Sequence, residues 1–254
     1  MTFRPVFSIS MSILVAACGA APLDDSQDSD PAASEASLRI DDHRVDPDSF
    51  VVVPGHAPVL GQSITAWTKE WFRWHFAVPA DKSPILNLSQ DCGTGQHDRV
   101  FFVPSYDGSD VFARSCRIPA RKPALVKLWA VINDYPCPDP TFQPAPGQSL
   151  EDFLREGAMS YDDGVQNLAV TVDGEAVNIA DDRHTTGLFH FVGDPSLVGK
   201  VPDACLLGAT RQPAVADGWW LMLLLAPGEH AVHVSGQSPE GTAFDAKYRL
   251  TVDR

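Results

Sequence analysis

The sequence predicts a mainly β domain: an antiparallel β-sandwich or jelly-roll-like fold with one Trp-rich helix and a second short helix packed on it. Three observations carry this. Ten short runs rich in Val, Phe, Leu and Trp lie between Gly/Pro breaks. Two tight-turn signals, Val172-Asp173-Gly174-Glu175 and Pro227-Gly228, each join a pair of such runs. Only two segments carry a helical period, and many strands with few helices favour two packed sheets.

The first strand is expected over 50–53. From Ser63 to Val78 the apolar residues Ile64, Trp67, Trp71, Trp74 and Val78 recur at three- and four-residue steps, which sets three indoles on one helical stripe. Ser63 is placed to cap that helix, and Pro79 ends it. A tryptophan stripe of this kind is expected to be the buried face of a helix on a sheet, because packing supplies most helix stability. Strands follow over 99–103, 111–117 and 125–132. A second helix starts at Ser149, where Ser149 and Asp152 approximate a capping box, and continues through Phe153 and Leu154. The remaining strands are expected over 168–172, 175–179, 188–192, 219–225, 229–235 and 244–252.

The N-terminus adds a compartment. Arg4, an apolar stretch and the run Leu14-Val15-Ala16-Ala17-Cys18 have the form of a bacterial lipoprotein signal, too short to span a bilayer. Residues 1–17 are accordingly read as a signal peptide and Cys18 as the lipidated residue, with covalent lipid as the only expected cofactor. Gly19, rather than an aspartate, follows Cys18, which points to the outer membrane of a Gram-negative envelope. Residues 18–48 read as an acidic tether: Asp24, Asp25, Asp28, Asp30, Glu35, Asp41, Asp42, Asp46 and Asp48 face only Arg39 and Arg44. Such a segment buries too little apolar surface to offset its ordering entropy. Its acids lack the EF-hand spacing. Residues 49–254 form the expected domain.

The net charge of −14 and the lack of any Lys/Arg run argue against nucleic-acid binding. With Cys18 assigned to lipid, Cys92, Cys116, Cys137 and Cys205 remain, an even set that suits disulfides in an exported chain. Cys92 precedes the strand at 99–103, and Cys116 ends the strand that returns after the Asp107-Gly108 turn. An antiparallel hairpin brings those ends together, which favours Cys92–Cys116 and, by elimination, Cys137–Cys205. The absence of any C-x-x-C pair weakens a zinc reading.

Several of these features together resemble a scattered family of exported bacterial proteins that has no assigned activity. They are Gly61-Gln62-Ser63, the Trp67/Trp71/Trp74 helix ending near Pro79, Cys92 with Gly95-Gln96, Cys116-Arg117-Ile118-Pro119, Asp217-Gly218-Trp219-Trp220 and Pro227-Gly228-Glu229-His230. The resemblance covers most of residues 58–235. It implies export and one domain, and it brings no catalytic residue.

Candidate chemistry is sparse. Gly-Gln-Ser occurs at 61–63, 147–149 and 236–238, but none of the three fits a G-x-S-x-G nucleophile elbow. The densest polar group is Asp181, Asp182, Arg183 and His184, with His190 nearby, where carboxylates and imidazoles can bind a metal or exchange protons. His230 and His233 are three apart on a strand and so point to opposite faces, which disfavours a shared ion. Trp219 and Trp220 are adjacent, so one is expected outward, where an indole can stack on a sugar ring. With no catalytic motif and no metal site expected, the leading expectation is a non-catalytic binding or envelope-structural lipoprotein. Its partners are the membrane, through the anchor, and a glycan or envelope protein. The alternative is an exported hydrolase or metal-dependent enzyme using the Asp181/Asp182/His184 loop.

Overall fold

The computed structural model describes residues 49–254, so the signal peptide, Cys18 and the tether at 18–48 lie outside the described residues. Ten strands and two α-helices alternate with long connections: β1 (Phe50–Val53), α1 (Ile64–Ala77), β2 (Phe101–Val103), β3 (Val111–Ile118), β4 (Ala124–Asp134), α2 (Leu150–Asp162), β5 (Gln166–Val172), β6 (Glu175–Ala176), β7 (Phe189–Val192), β8 (Arg211–Leu225), β9 (Gly228–Gln237) and β10 (Ala243–Val252). The domain is mainly β, as the sequence predicts. No helix among the described residues is long and apolar enough to cross a membrane.

The strands form two sheets. Sheet I runs β1-β8-β4-β2 with β7 also paired to β8, and sheet II runs β3-β10-β9-β5-β6. Most neighbours are antiparallel, but two are not: β2 pairs parallel to β4, and β3 pairs parallel to β10. The expected hairpin of 99–103 with 111–117 is therefore replaced by a crossing from one sheet to the other. The physical reason lies in the connection, where Pro104 ends β2 and Arg114 is buried with its guanidinium donating to the carbonyls of Pro84, Asn87, Pro104 and Ser105. That knot holds the chain open where a tight turn was expected. The cysteines still pair as anticipated: Cys92 joins Cys116, and Cys137 joins Cys205. The first bridge ties the loop before β2 to sheet II.

Two apolar layers result. One lies between the sheets, around Leu221, Leu223, Val126, Val232, Val234 and Leu250. The other lies between sheet I and α1, where Trp67, Trp71 and Trp74 meet Phe102, Leu125, Trp220 and Met222. All three helix tryptophans also satisfy their indole N–H groups, donating to the carbonyls of Val59 (2.9 Å), Val103 (3.2 Å) and Thr94 (2.9 Å) respectively. Ser63 caps α1 by accepting from Ala66 N at 3.1 Å, and Ser149 caps α2 by accepting from Asp152 N at 3.1 Å. α2 covers the part of β4 and β8 that sheet II leaves bare: Asn133 Nδ2 donates to Leu154 O at 3.1 Å, and Trp129 Nε1 donates to Asp162 Oδ1 at 2.8 Å. The Asp173-Gly174 turn has φ of 52° and 84°, the two positive values a type I′ hairpin needs.

The two disulfides close loops of unequal length, with sequence separations of 24 and 68. Denaturant titration should therefore show a loss of about 3 kcal/mol for the Cys92→Ser/Cys116→Ser variant and about 4 kcal/mol for Cys137→Ser/Cys205→Ser, following loop-closure entropy. Equal losses, or a reversed order, would show that local packing around each bridge outweighs chain entropy.

Candidate functional site

The residues singled out in the sequence do not converge on one point. Asp182, Arg183 and His184 run alongside β8: Trp220 N donates to Asp182 O at 2.9 Å, His184 N to Gly218 O at 2.7 Å, and Thr186 N to Ala216 O at 2.8 Å. This stretch fills the edge of β8 between β1 and β7, so its main chain is part of the sheet. Asp182 and His184 are buried, with Asp182 Oδ1 and His184 Nε2 unpartnered, while Asp181 is exposed. His184 Nδ1 meets Thr65 Oγ1 at 3.2 Å. Burial, with Asp181 adding, raises Asp182 to about 6, and burial lowers His184 to about 4 against the opposing pull of Asp217. His190 sits on β7 opposite Pro213, roughly 17 Å along β8 from the Gly218 pairing. Among the described residues these groups do not set three ligand atoms within 4.8 Å of one another.

Trp220 is 1 % exposed and packs edge-to-face on Trp71 at 5.3 Å. Trp219 faces the opposite way, partly buried, under the Arg183 guanidinium at 4.8 Å. Arg183 in turn binds Asp217 at 2.6 Å and Asp163 at 2.6 Å. His230 is buried against Asp173, while His233 pairs with Asp245.

A different place gathers polar groups around a void. β4 carries a bulge between Lys127 and Trp129, so Lys127 pairs with Trp220 on the α1 side and Trp129 with Trp219 on the other, and both border one cleft along the β4 edge that β2 leaves free beyond Val126. Gly218 admits the close approach of β8 beside that bulge: it sits opposite Ala130 at φ 151°, and a Cβ there would lie 2.3 Å from Trp129 O. The cleft has two adjoining cavities of about 490 and 390 Å³. Both are lined by Asp107, Asp110, Lys127, Trp129, Ala130 and Pro202. The larger also reaches Trp71, His75, Tyr161, Asp203 and Glu240.

Each polar group is positioned by the fold. Asp107 follows the Arg114 knot, and its N–H donates to Ile85 O at 3.0 Å. His75 is one turn beyond Trp71 on α1 and stacks on it at 4.9 Å. Lys127 Nζ lies over the Trp71 ring at 5.1 Å. His75 Nε2 is 3.6 Å from Asp107 Oδ2, with side-chain exposures of 7 % and 12 %. Burial, with the Lys127 charge adding, lowers His75 to about 3, so this contact is between a neutral imidazole and the carboxyl at neutral pH. Burial raises Asp107 and lowers Lys127, and each opposes the other's shift. His75 Nδ1 has no partner. Trp129 is stacked on Phe244 at 5.0 Å, and the Asp162 carboxyl holds its N–H.

A third group borders the cleft. Asp134, Asp203 and Cys205 place one ligand atom each within 4.8 Å, but Cys205 is bonded to Cys137 and offers no thiolate. Gln212 Nε2 donates to Asp134 Oδ2 at 2.8 Å and to Cys205 O at 2.9 Å. What remains is a pair of carboxyls in low dielectric. Burial first, then Asp203, raises Asp134 to about 7, and burial raises Asp203.

A larger depression, about 690 Å³, lies on the outer face of sheet II over Ala113, Ser115 and Ala231. It is open, and its histidines are matched within the sheet by Asp173 and Asp245. Of its lining, Arg114 Nε is buried without a partner, but that guanidinium is already held by four carbonyls. No family model matches the chain, and no curated protein matches it.

The sequence reading missed this cleft. One signal was present: Lys127 interrupts the apolar run 124–132, and lysine is rarely buried without a partner.

The Asp134 carboxyl gives a pH test. Its folded pKa lies above the unfolded value, so its favourable contribution is complete below about pH 4 and is lost as pH rises through about 7. Asp134→Asn keeps a neutral acceptor for Gln212. Thermal or urea unfolding is expected to show it more stable than the parent by up to roughly 4 kcal/mol at pH 7.5, with the difference vanishing near pH 4. A pH-independent difference would place the effect in packing.

Proposed function

We propose that the protein is a lipid-anchored lipoprotein of the bacterial envelope that binds a ligand without turning it over, and that the cleft beside Trp129 is its binding site. Cys18 supplies the anchor and residues 19–48 the spacing from the membrane. Two disulfides in a chain of this size suit an oxidising compartment outside the cytoplasm. The resemblance of the Trp helix and the first cysteine pair to exported bacterial proteins agrees with that placement.

The observation that carries the binding reading is the fixing of Trp129. Its indole is stacked on Phe244 and hydrogen-bonded to Asp162, and it borders both cavities. A large, amphipathic ring already locked in place loses little entropy when a ligand arrives. The cleft is less suited to acid–base turnover at neutral pH, because an imidazole near 3 accepts protons poorly and Asp107 and Lys127 offset each other's charge.

Two measurements test this. Cys18→Ala should abolish incorporation of labelled palmitate and move the protein from the membrane to the soluble fraction; unchanged membrane association would sink the anchor. In the Cys18→Ala background, Trp129→Ala should reduce co-sedimentation with isolated envelope fragments at least tenfold. Retention that ignores Trp129 would remove the cleft from the reading.

A further inference from the structure

The cleft holds more chemical information than a general binding site needs. We infer that its ligand is a neutral saccharide of at least two rings, lying against Trp129 with its hydroxyls on His75, Asp107, Lys127 and Asp203. This deepens the binding reading above and rests on it.

Four observations lead there. The first is the platform: Trp129 is partly exposed, Phe244 takes one side of its ring, and the surface left over borders the larger cavity. Sugar C–H faces pack on such rings, because the polarised C–H bonds meet the negative π face.

The second is hydrogen-bond demand. His75 is 6 % exposed and its Nδ1 has no partner, and the buried Oδ2 of Asp203 also lacks one. Neither atom has surface open to the cleft, but a buried polar atom left unsatisfied costs about 1–3 kcal/mol, which favours a turn of either side chain that pairs it with a ligand hydroxyl. Lys127 brings only donors, while the carboxylates bring acceptors. A hydroxyl donates and accepts, and a row of hydroxyls meets this mixed lining whatever its order.

The third is charge. At the floor, the Lys127 ammonium and the Asp107 carboxyl oppose each other. At the rim, Asp110 and Glu240 are exposed and acidic. An anionic polymer is repelled at that rim. A cationic ligand meets a Trp71 face that Lys127 already occupies. A neutral ligand meets neither obstacle.

The fourth is size. Cavities of about 490 and 390 Å³ sharing a wall at Trp129, Lys127 and Pro202 form two connected rooms, each within the range of about 300–1,000 Å³ for small-molecule sites. Two rooms suit two adjoining rings better than one.

The test uses the otherwise full chain carrying Cys18→Ala, with tryptophan fluorescence and calorimetry as readouts. The probes are N,N′-diacetylchitobiose, cellobiose and maltose as neutral disaccharides, glucose as a single ring and digalacturonate as an acidic pair. At least one neutral disaccharide should bind with a Kd of roughly 10 µM to 1 mM. Glucose and digalacturonate should bind at least tenfold more weakly. Trp129→Ala should cost at least tenfold. Pro202→Trp changes an exposed residue on the shared wall, so it should block the cleft without disturbing the core, and it covers the case in which Trp129→Ala misfolds. Asp110→Asn/Glu240→Gln should narrow the gap between acidic and neutral sugars. If no neutral disaccharide binds while envelope retention still depends on Trp129, the saccharide assignment fails and the binding site stands. If retention is also indifferent to Trp129, both fail. Tighter binding of digalacturonate overturns the neutral class.

Discussion

Trp71 is the meeting point of the helix, the central sheet and the cleft. Its ring is fully buried, its Nε1 donates to Val103 O at 3.2 Å, and Trp220 packs on it edge-to-face at 5.3 Å. The same ring carries His75 on α1 and the Lys127 ammonium on β4. A displacement of this indole therefore moves a core contact and two cleft groups together. That coupling explains how charged and polar side chains persist beside an apolar layer: they are held against an aromatic surface whose own position is over-determined by packing and a hydrogen bond.

β8 organises what surrounds that point. Along one edge its residues 214–223 pair with β4, while β1, the 182–186 stretch and β7 share the other. Its side chains alternate between the α1 layer and the layer beneath sheet II and α2. Sheet II is too narrow to cover all of it, so α2 completes the cover, and the cleft opens near the boundary between the two. Lys127 and Trp129, on opposite faces either side of the β4 bulge beside Gly218, both border that opening.

Local features were legible in the sequence because local physics decides them. Ser63 and Ser149 cap the helices expected of them, the three indoles share one stripe, and Asp173-Gly174 turns as its residues require. The disulfide pairing followed from strand order, although its geometric premise did not hold: β2 and β3 belong to different sheets, and nothing in either strand's own sequence records which neighbour it chooses. The cleft was illegible for the same reason. Asp107 lies in an ordinary turn sequence, His75 beside core aromatics, and Asp203 in a loop; only closure of the sheets brings them together. The Asp181–His184 cluster looked more chemical because its charges are adjacent in sequence, yet its main chain is occupied in edging β8.

The Arg114 guanidinium has a consequence for how the cleft endures its surroundings. It donates to four carbonyls from two loops, an arrangement of oxygens around a cation that many extracellular folds build with calcium. Here the cation is covalently part of the chain, and although burial lowers its pKa, a guanidinium starts so high that it keeps its charge across ordinary pH. The loop that presents Asp107 is thus fixed without recruiting an ion from outside. Chelators, or swings in divalent-ion concentration, leave nothing to remove from it. The position of Asp107 at the cleft therefore rests on a group that cannot dissociate from the chain.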